Sequence, residues 1–269
     1  MNICFIGGGN MATALIGGLL GQGYAASRIS VVEINAENRA RLIRNFAVRA
    51  VDNLKDGMQG SQVIVLAVKP QQLHDVIEEL APLLSGQLLI SIAAGIRAVD
   101  IARWAGTEAV VRAMPNTPAL IRCGMTGLYA LPSVDAAQRE QARSILAAVG
   151  EVIWLDDEAM MDAVTAISGS GPAYVFYMME ALEEAAAALG FDEEDARRLS
   201  LVTFPGAGRL AAGSQESVSV LRERVTSKNG TTERALISLE ANSVKRHIIE
   251  AAKAAAERSR ELGDELGRS

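Results

Sequence analysis

The stretch Asn2-Ile3-Cys4-Phe5-Ile6-Gly7-Gly8-Gly9-Asn10-Met11-Ala12 decides the fold, because it leads from an apolar run through glycines into a helical pattern. Ile3–Ile6 predicts a buried strand, and the residues after it have the spacing Gly-x-Gly-x-x-Ala. Gly7 permits a tight turn, Gly9 lets the backbone approach a pyrophosphate, and Ala12 lets the helix pack closely on the strand. The N–H groups that open the helix then face the anion. Residues 7–12 therefore predict a dinucleotide-binding turn, with a glycine turn that binds no ligand as the alternative.

Short apolar runs alternate with amphipathic segments through the first half of the chain. The predicted strands are Ile3–Ile6, Ile29–Ile34, Val63–Val68, Leu88–Ile92 and Ala109–Met114, and the predicted helices between them include Met11–Leu20, Asn38–Asn45 and Gln71–Leu84. Most of the strands are apolar on both faces, which is typical of a parallel sheet covered by helices on both sides. Edge strands are expected at Leu128–Leu131 and Val152–Leu155, around a helix at Ala136–Val149. The fold class is thus α/β, with a Rossmann-like doubly wound sheet in residues 1–156.

The second half of the chain has a different texture, rich in Ala, Leu and Glu. Helices are predicted at Gly171–Leu189, Glu193–Ala212, Val218–Val225, Thr232–Glu240 and Val244–Leu262. Asp192 is expected to cap one helix and Gly190 to end the helix before it. Pro205 and Gly206 are expected to kink or divide their segment. Residues 157–269 are therefore predicted to form an all-helical domain.

Composition excludes several classes of partner. The 269 residues carry a net charge of −6, and the isoelectric point is near 5.2, so the phosphates of nucleic acid or of an anionic membrane would be repelled. Cys4 and Cys123 are interpreted as buried or unreactive thiols, and their spacing indicates no metal site. The N-terminus does not resemble a signal peptide and no apolar run is long enough for a membrane span, so a cytoplasmic protein is expected.

The choice between NADH and NADPH depends on the end of the second predicted strand. A carboxylate at Glu33 would accept hydrogen bonds from a ribose 2′-hydroxyl and repel a 2′-phosphate, which favours NADH. Asn35, Asn38 and Arg39 follow at once and are able to hold a phosphate. A third interpretation makes Glu33 a solvated charge at the strand end. The sequence leaves the three open.

Two further turns close predicted strands at the edge of the sheet where doubly wound folds bind ligands. Ala67-Val68-Lys69-Pro70 leads into a helix, and Pro70 suits its first turn. Lys69 is expected to contact the cofactor, with a solvated turn lysine as the alternative. Ser91-Ile92-Ala93-Ala94-Gly95 ends a strand in small residues that would admit a flat ring.

Three later motifs carry a family resemblance. They are Arg112-Ala113-Met114-Pro115-Asn116-Thr117-Pro118, Ser168-Gly169-Ser170-Gly171-Pro172-Ala173-Tyr174 and Thr226-Ser227-Lys228-Asn229-Gly230-Thr231-Thr232. With the glycine turn and the turns at 67–70 and 91–95, the chain resembles pyrroline-5-carboxylate reductases over nearly its whole length. One departure is visible, because Lys228 and Asn229 stand where the family commonly has Pro and Gly. Asn tolerates a positive φ angle, so a similar loop is expected.

The resemblance implies hydride transfer from NADPH or NADH to the C=N carbon of 1-pyrroline-5-carboxylate, which gives L-proline. It implies a homodimer with interleaved C-terminal domains, each active site built from both chains, and often a ring of dimers. It implies substrate contacts at Ser168, Gly169, Gly171, Gly230, Thr231 and Thr232, with the Thr232 hydroxyl facing the ring nitrogen as the catalytic candidate. The implied cofactor contacts are Gly7, Gly8, Gly9, Asn10, Met11, Ala12, Glu33, Asn35, Ala67, Val68, Lys69, Pro70, Ala93, Ala94, Asn116 and Glu158. For Glu158, a solvated acid that opens a helix is an equal alternative.

The physical interpretation of the two late loops agrees with this resemblance. Each loop leads into a helix start whose N–H donors would suit a carboxylate. The rival activity is that of a 3-hydroxyacid dehydrogenase, which needs a His or Lys base. His74 and His247 are the only histidines and are interpreted as surface residues, and the segment Gly171–Leu189 contains no Lys. A non-catalytic dinucleotide sensor is the second rival, but it would need no second anion site.

Overall fold

The computed structural model of the protein describes residues 1–267. The chain forms two compact units. The first comprises Met1–Ser170 together with the end of the chain from residue 254, and the second comprises Gly171–Lys253. These units are defined by contacts within the chain. The functional boundary expected after residue 156 stays a prediction.

The first unit is built on one sheet, which has eight strands within residues 1–267. The strands are β1 Ile3–Ile6, β2 Ile29–Val32, β3 Arg49–Val51, β4 Val63–Leu66, β5 Leu88–Ser91, β6 Val110–Met114, β7 Gly124–Ala130 and β8 Gly150–Trp154. Their order is β3-β2-β1-β4-β5-β6-β7-β8, and every pair is parallel except β6 and β7. Because β1 lies between β2 and β4, the strand order reverses there. Doubly wound sheets bind ligands at the carboxyl ends of the strands at such a point.

Helices connect the strands of the first unit. They are α1 Asn10–Gly21, α2 Ala36–Phe46, α3 Leu54–Gly57, α4 Pro70–Leu80, α5 Ala98–Ala105, α6 Ala136–Leu146 and α7 Met160–Val164. The predicted α/β class with a Rossmann-like sheet is confirmed. The short elements β3, α3 and α5 were not predicted from the sequence. The predicted strand Ile29–Ile34 ends at Val32, because the chain turns toward α2 there.

Burial along β1 shows why this sheet forms. All four residues of β1 are buried, with Ile3 and Phe5 in one apolar cluster and Cys4 and Ile6 in another. Alternate side chains of a strand point to opposite faces, so the sheet has a core on each side. Burial also raises the pKa of the Cys4 thiol to about 11, since the thiolate would lose its hydration. Cys4 is thus an inert core residue, whereas Cys123 is exposed.

The second unit is helical. Its helices are α8 Gly171–Ala188, α9 Glu193–Ala212, α10 Val218–Arg224, α11 Thr231–Ala241 and the first part of α12 Val244–Leu266. Asp192 caps α9 as predicted, because its side chain accepts the N–H of Asp195. Gly190 adopts a φ angle of +102° after α8, which glycine adopts without strain. Of the two outcomes expected at Pro205 and Gly206, division does not occur, since α9 continues through Pro205. A kink there stays a prediction.

Large apolar side chains are exposed in the second unit. Phe176 is 63% exposed, Tyr177 74% and Val202 66%. Apolar surface of this extent is typical of faces that pack against another chain. Within residues 1–267, none of the helices is both long enough and apolar enough to cross a bilayer.

Candidate functional site

Gly7 makes the turn at the carboxyl end of β1. Its N–H donates to Val32 O at 2.8 Å, and its φ angle is +98°. A Cβ atom there would lie 2.6 Å from Ala67 O, at the end of β4. Gly7 is therefore required by the protein itself, through both its φ angle and the close approach of β4.

Gly9 caps the N-terminus of α1 and faces open space. A Cβ atom on Gly9 would meet no atom of residues 1–267 within 4 Å. Asn10 is exposed, Met11 is half-buried and Ala12 is buried against the sheet. The first N–H groups of a helix have no partners inside the helix, and its dipole favours an anion there. The open backbone and these donors fit a pyrophosphate at residues 7–12.

Glu33 joins the glycine turn to the start of α2. One carboxylate oxygen accepts the N–H of Gly8 at 3.0 Å, and the other accepts the N–H of Asn35 at 2.8 Å. The side chain is half-buried. The interpretation of Glu33 as a solvated strand-end charge is therefore wrong. Its negative charge lies directly beside the predicted pyrophosphate turn.

Two of the residues able to hold a phosphate, Arg39 and Asn35, make contacts within the protein. Arg39 donates to Glu33 O at 2.7 Å and Ile34 O at 3.0 Å, and it lies 3.6 Å from a carboxylate oxygen of Asp52. The Asn35 side chain caps α2 by accepting the N–H of Asn38 at 2.9 Å. This arrangement favours Glu33 over Arg39 as the determinant of cofactor choice.

The turns after β4 and β5 lie side by side, because Leu66 pairs with Ser91 in the sheet. Lys69 is the N-cap residue of α4 and is exposed, and Pro70 is the first residue of that helix, as expected. Ala93 is buried and Ala94 half-buried. The N–H of Ala93 donates to the buried Ser91 hydroxyl at 3.3 Å. Both turns thus lie at the edge of the sheet that carries the glycine turn.

Asn116 links two of the sequence motifs. Its amide nitrogen donates to the carbonyl and the hydroxyl of Ser168, each at 3.2 Å, and its amide oxygen accepts the N–H of Met125 at 2.9 Å. An amide bonded on both sides holds the turn after β6 and the segment at Ser168 in one arrangement. The structure therefore brings Asn116 and Ser168 together.

Glu158 is paired rather than solvated. One of its oxygens accepts from Arg112 Nη1 at 3.1 Å and from the N–H of Ala98, the first residue of α5, at 2.7 Å. The side chains of Arg112 and Glu158 are 5% and 16% exposed. The alternative of a solvated acid at a helix start is wrong. Glu158 neutralises a buried arginine and caps α5, directly after the turn at 92–97.

The segment at Ser168 differs from the expected loop. Residues Thr165–Gly169 form a π-helical turn that precedes α8, and the N–H of Ser170 donates to Thr165 O at 2.8 Å. The N–H of Ser170 is thus used inside the turn and is not one of the free donors expected at this helix start. Turns of this type occur frequently at functional sites.

The loop before α11 lies in the second unit. Asn229 has a φ angle of +60°, in agreement with the expectation for this departure from the family. Its N–H donates to Glu233 at 2.7 Å, and Gly230 is the N-cap residue of α11. Thr231 is exposed and Thr232 is half-buried, and both lie in the first turn. The predicted substrate residues are thus divided, with Ser168 and Gly169 in the first unit and Gly171 and residues 230–232 in the second.

Arg112 is a residue that the sequence reasoning missed as part of the site. The signal was present, because a charged residue within the apolar run of β6 is buried at a cost unless it is paired. Its partner was not predictable, since Glu158 lies 46 residues further along the chain.

Comparisons with known proteins show which family this chain is similar to. A family model described as pyrroline-5-carboxylate reductase dimerisation matches residues 158–262, and one described as NADP oxidoreductase, coenzyme F420-dependent, matches residues 2–95. The pyrroline-5-carboxylate reductase of Pseudomonas aeruginosa is 49% identical over 267 residues, which cover 98% of both chains.

Two solved structures are similar over the full length. That of a pyrroline-5-carboxylate reductase from Coxiella burnetii has a TM-score of 0.93 at 44% identity and covers 97% of this chain and 98% of its own. That of the Plasmodium falciparum pyrroline carboxylate reductase with NADP bound has a TM-score of 0.86 at 29% identity, with 98% of each chain covered. The resemblance stated from the motifs is confirmed.

Proposed function

The chain belongs to the pyrroline-5-carboxylate reductase family, and we propose which of its residues bind the cofactor and which orient the substrate. The enzyme is an oxidoreductase that reduces the C=N bond of 1-pyrroline-5-carboxylate to L-proline in proline biosynthesis. Its cofactor is NADPH or NADH. The hydroxyacid dehydrogenase and the non-catalytic sensor are excluded as alternatives.

The proposed cofactor site follows the carboxyl edge of the sheet. Residues 7–12 would hold the pyrophosphate at the start of α1, and Glu33 and Asn35 would face the adenosine ribose. Residues 67–70, Ala93 and Ala94 would line the nicotinamide end, with Asn116 and Glu158 fixing the turns around it. The open space in front of Gly9 is the observation that carries this proposal, because it lies where the donors of α1 point outward.

The proposed work at the reacting centre is orientation. The bound reduced nicotinamide supplies a hydride. A cyclic imine that enters protonated is already electrophilic at carbon, so no strong general base is required, and the protein gains most by holding the reactants together. Ser168, Gly169, Gly171, Gly230 and Thr231 are proposed to bind the substrate. The Thr232 hydroxyl is proposed to face its ring nitrogen.

Replacement of Thr232 by Val tests the substrate assignment. The change keeps the side-chain shape and removes the hydroxyl, so we expect kcat/KM for the imine to fall about fivefold or more, while the affinity for NADPH is retained. Thr203→Val is a matched control, since the Thr203 hydroxyl donates to Leu199 O within its own helix. Kinetics of Thr232→Val that equal those of the control would remove Thr232 from the site.

The proposal extends to assembly and location. A homodimer, and a ring of dimers built from it, is supported by the dimerisation match at 158–262 and by the exposed apolar side chains of the second unit. The same match supports the functional division into residues 1–156 for the cofactor and 157–269 for dimerisation and substrate. In the proposed dimer each active site contains residues of both chains.

We also propose a cytoplasmic enzyme without nucleic-acid or membrane partners, in keeping with its net charge of −6.

A further inference from the structure

The last turns of α12 contact the turn that follows β5. Residues from 254 onward belong to the first unit, and there the end of α12 meets residues 95–103. These contacts join the end of α12 to the residues that follow Ala93 and Ala94. The contact between α12 and this turn has no role in the function proposed above.

Gly95 in the turn and Gly263 in α12 allow these two segments to approach each other very closely. A Cβ atom on Gly95 would lie 3.2 Å from the Cβ atom of Leu262, and Gly95 also has a φ angle of +80°. A Cβ atom on Gly263 would lie 2.9 Å from Gly95 O. The helix and the turn thus touch backbone to backbone, and neither can move without disturbing the other.

Polar contacts surround this packing. Arg97 Nη2 lies 2.5 Å from Asp264 Oδ1, and Arg103 donates to Gly267 O at 2.6 Å. The buried Ser259 hydroxyl donates to Asp162 of α7 at 2.7 Å. Arg97 is the N-cap residue of α5, whose first N–H is held by Glu158. The turn at 92–97 is therefore fixed by α12 on one side and by Glu158 on the other.

We propose that Asp264 is a positioning residue for the cofactor, acting through Arg97 to hold the turn at 92–97 where the nicotinamide end binds. The inference rests on the proposed function, which places Ala93 and Ala94 beside that ring. Asp264 does not touch the reacting atoms. It sets the conformation of a turn that must be in place before the cofactor binds, so its loss appears as weaker cofactor affinity.

Asp264→Asn tests the proposal, because it removes the charge and keeps the side-chain size. Arg260, which lies 3.5 Å from Asp264, retains Glu257 as a partner. We expect the Kd for NADPH, measured by calorimetry, to rise about fivefold, and the KM for the imine at saturating NADPH to stay unchanged. Hydrogen exchange at residues 92–98 is expected to be faster in the variant without cofactor. The charge exchange Arg97→Asp with Asp264→Arg is expected to restore part of the affinity.

Glu140→Gln is the matched control, since it breaks a similar arginine pair, with Arg143, on the exposed side of α6. A Kd for Asp264→Asn equal to that of this control would overturn the inference. If Asp264→Asn does not fold, Arg97→Gln makes the same comparison, because it removes the other charge of the pair. Failure of the proposed function itself would give a different result. In that case saturating NADPH would not slow hydrogen exchange at residues 92–98 of the unaltered enzyme.

Discussion

Gly7 and Gly9 lie in one turn, and different neighbours require the absence of a side chain at each. At Gly7 the constraint comes from within the protein, through a φ angle of +98° and the carbonyl of Ala67. At Gly9 a methyl group would fit the described protein without contact. Under the proposed function the ligand would exclude a side chain at Gly9, because the pyrophosphate needs close contact with the backbone.

The different constraints at Gly7 and Gly9 predict different effects of an alanine at each position. Gly9→Ala should fold as the unaltered enzyme does and lose about tenfold or more in NADPH affinity, since the methyl group occupies the space of the pyrophosphate. Gly7→Ala should lose at least about 2 kcal/mol of unfolding free energy from strain alone. Thermal unfolding and calorimetric titration check both. Normal cofactor affinity in Gly9→Ala would place the pyrophosphate elsewhere.

Glu33 determines the expected cofactor preference. Its charge, held by the N–H groups of Gly8 and Asn35, would repel a 2′-phosphate, and Arg39 is engaged with the backbone and Asp52. We expect Glu33→Gln to raise the ratio of kcat/KM for NADPH to that for NADH about fivefold, because the charge is lost. Glu37→Gln in the exposed first turn of α2 is the control. A ratio that moves equally in both variants would contradict this role.

Among the secondary-structure elements, those with the strongest hydrophobic patterns were predictable from the sequence. Strands such as β1 and β4 are apolar at every position, and only a sheet covered on both faces buries them. The strand β3 was missed because three residues that begin with an exposed Arg49 carry too little pattern. The extent of α9 was predicted at Glu193–Ala212, but a division at Pro205 was expected as one outcome and does not occur.

The sequence predicts which turns form the candidate site, but it does not predict the contacts between their side chains. The sequence places Glu33 at a strand end, but its bond to Gly8 depends on the register of β1 and β2, which only the folded sheet defines. Asn116 and Ser168 lie 52 residues apart in the chain, and each was known only through its own motif. The π-helical turn at Thr165–Gly169 was not predicted, since Gly and Ser in this stretch favour a loop.

At the scale of the whole molecule, the apolar surface of the second unit predicts assembly. We expect the enzyme to sediment as a dimer or a larger ring. Tyr177→Glu, which places a charge on an exposed apolar side chain of α8, should shift it toward monomer and lower its activity. Tyr177→Phe is the control, because it keeps the apolar ring. A fully active monomer in the unaltered enzyme would refute an active site shared between chains.

The most direct test of the account is the absorbance of the reduced cofactor when 1-pyrroline-5-carboxylate is added to the purified enzyme, with NADPH and NADH compared at several concentrations. We expect loss of absorbance with formation of L-proline in equal amounts, and an NADH reaction that competes well with the NADPH reaction because of Glu33. Unchanged absorbance with both cofactors would contradict it.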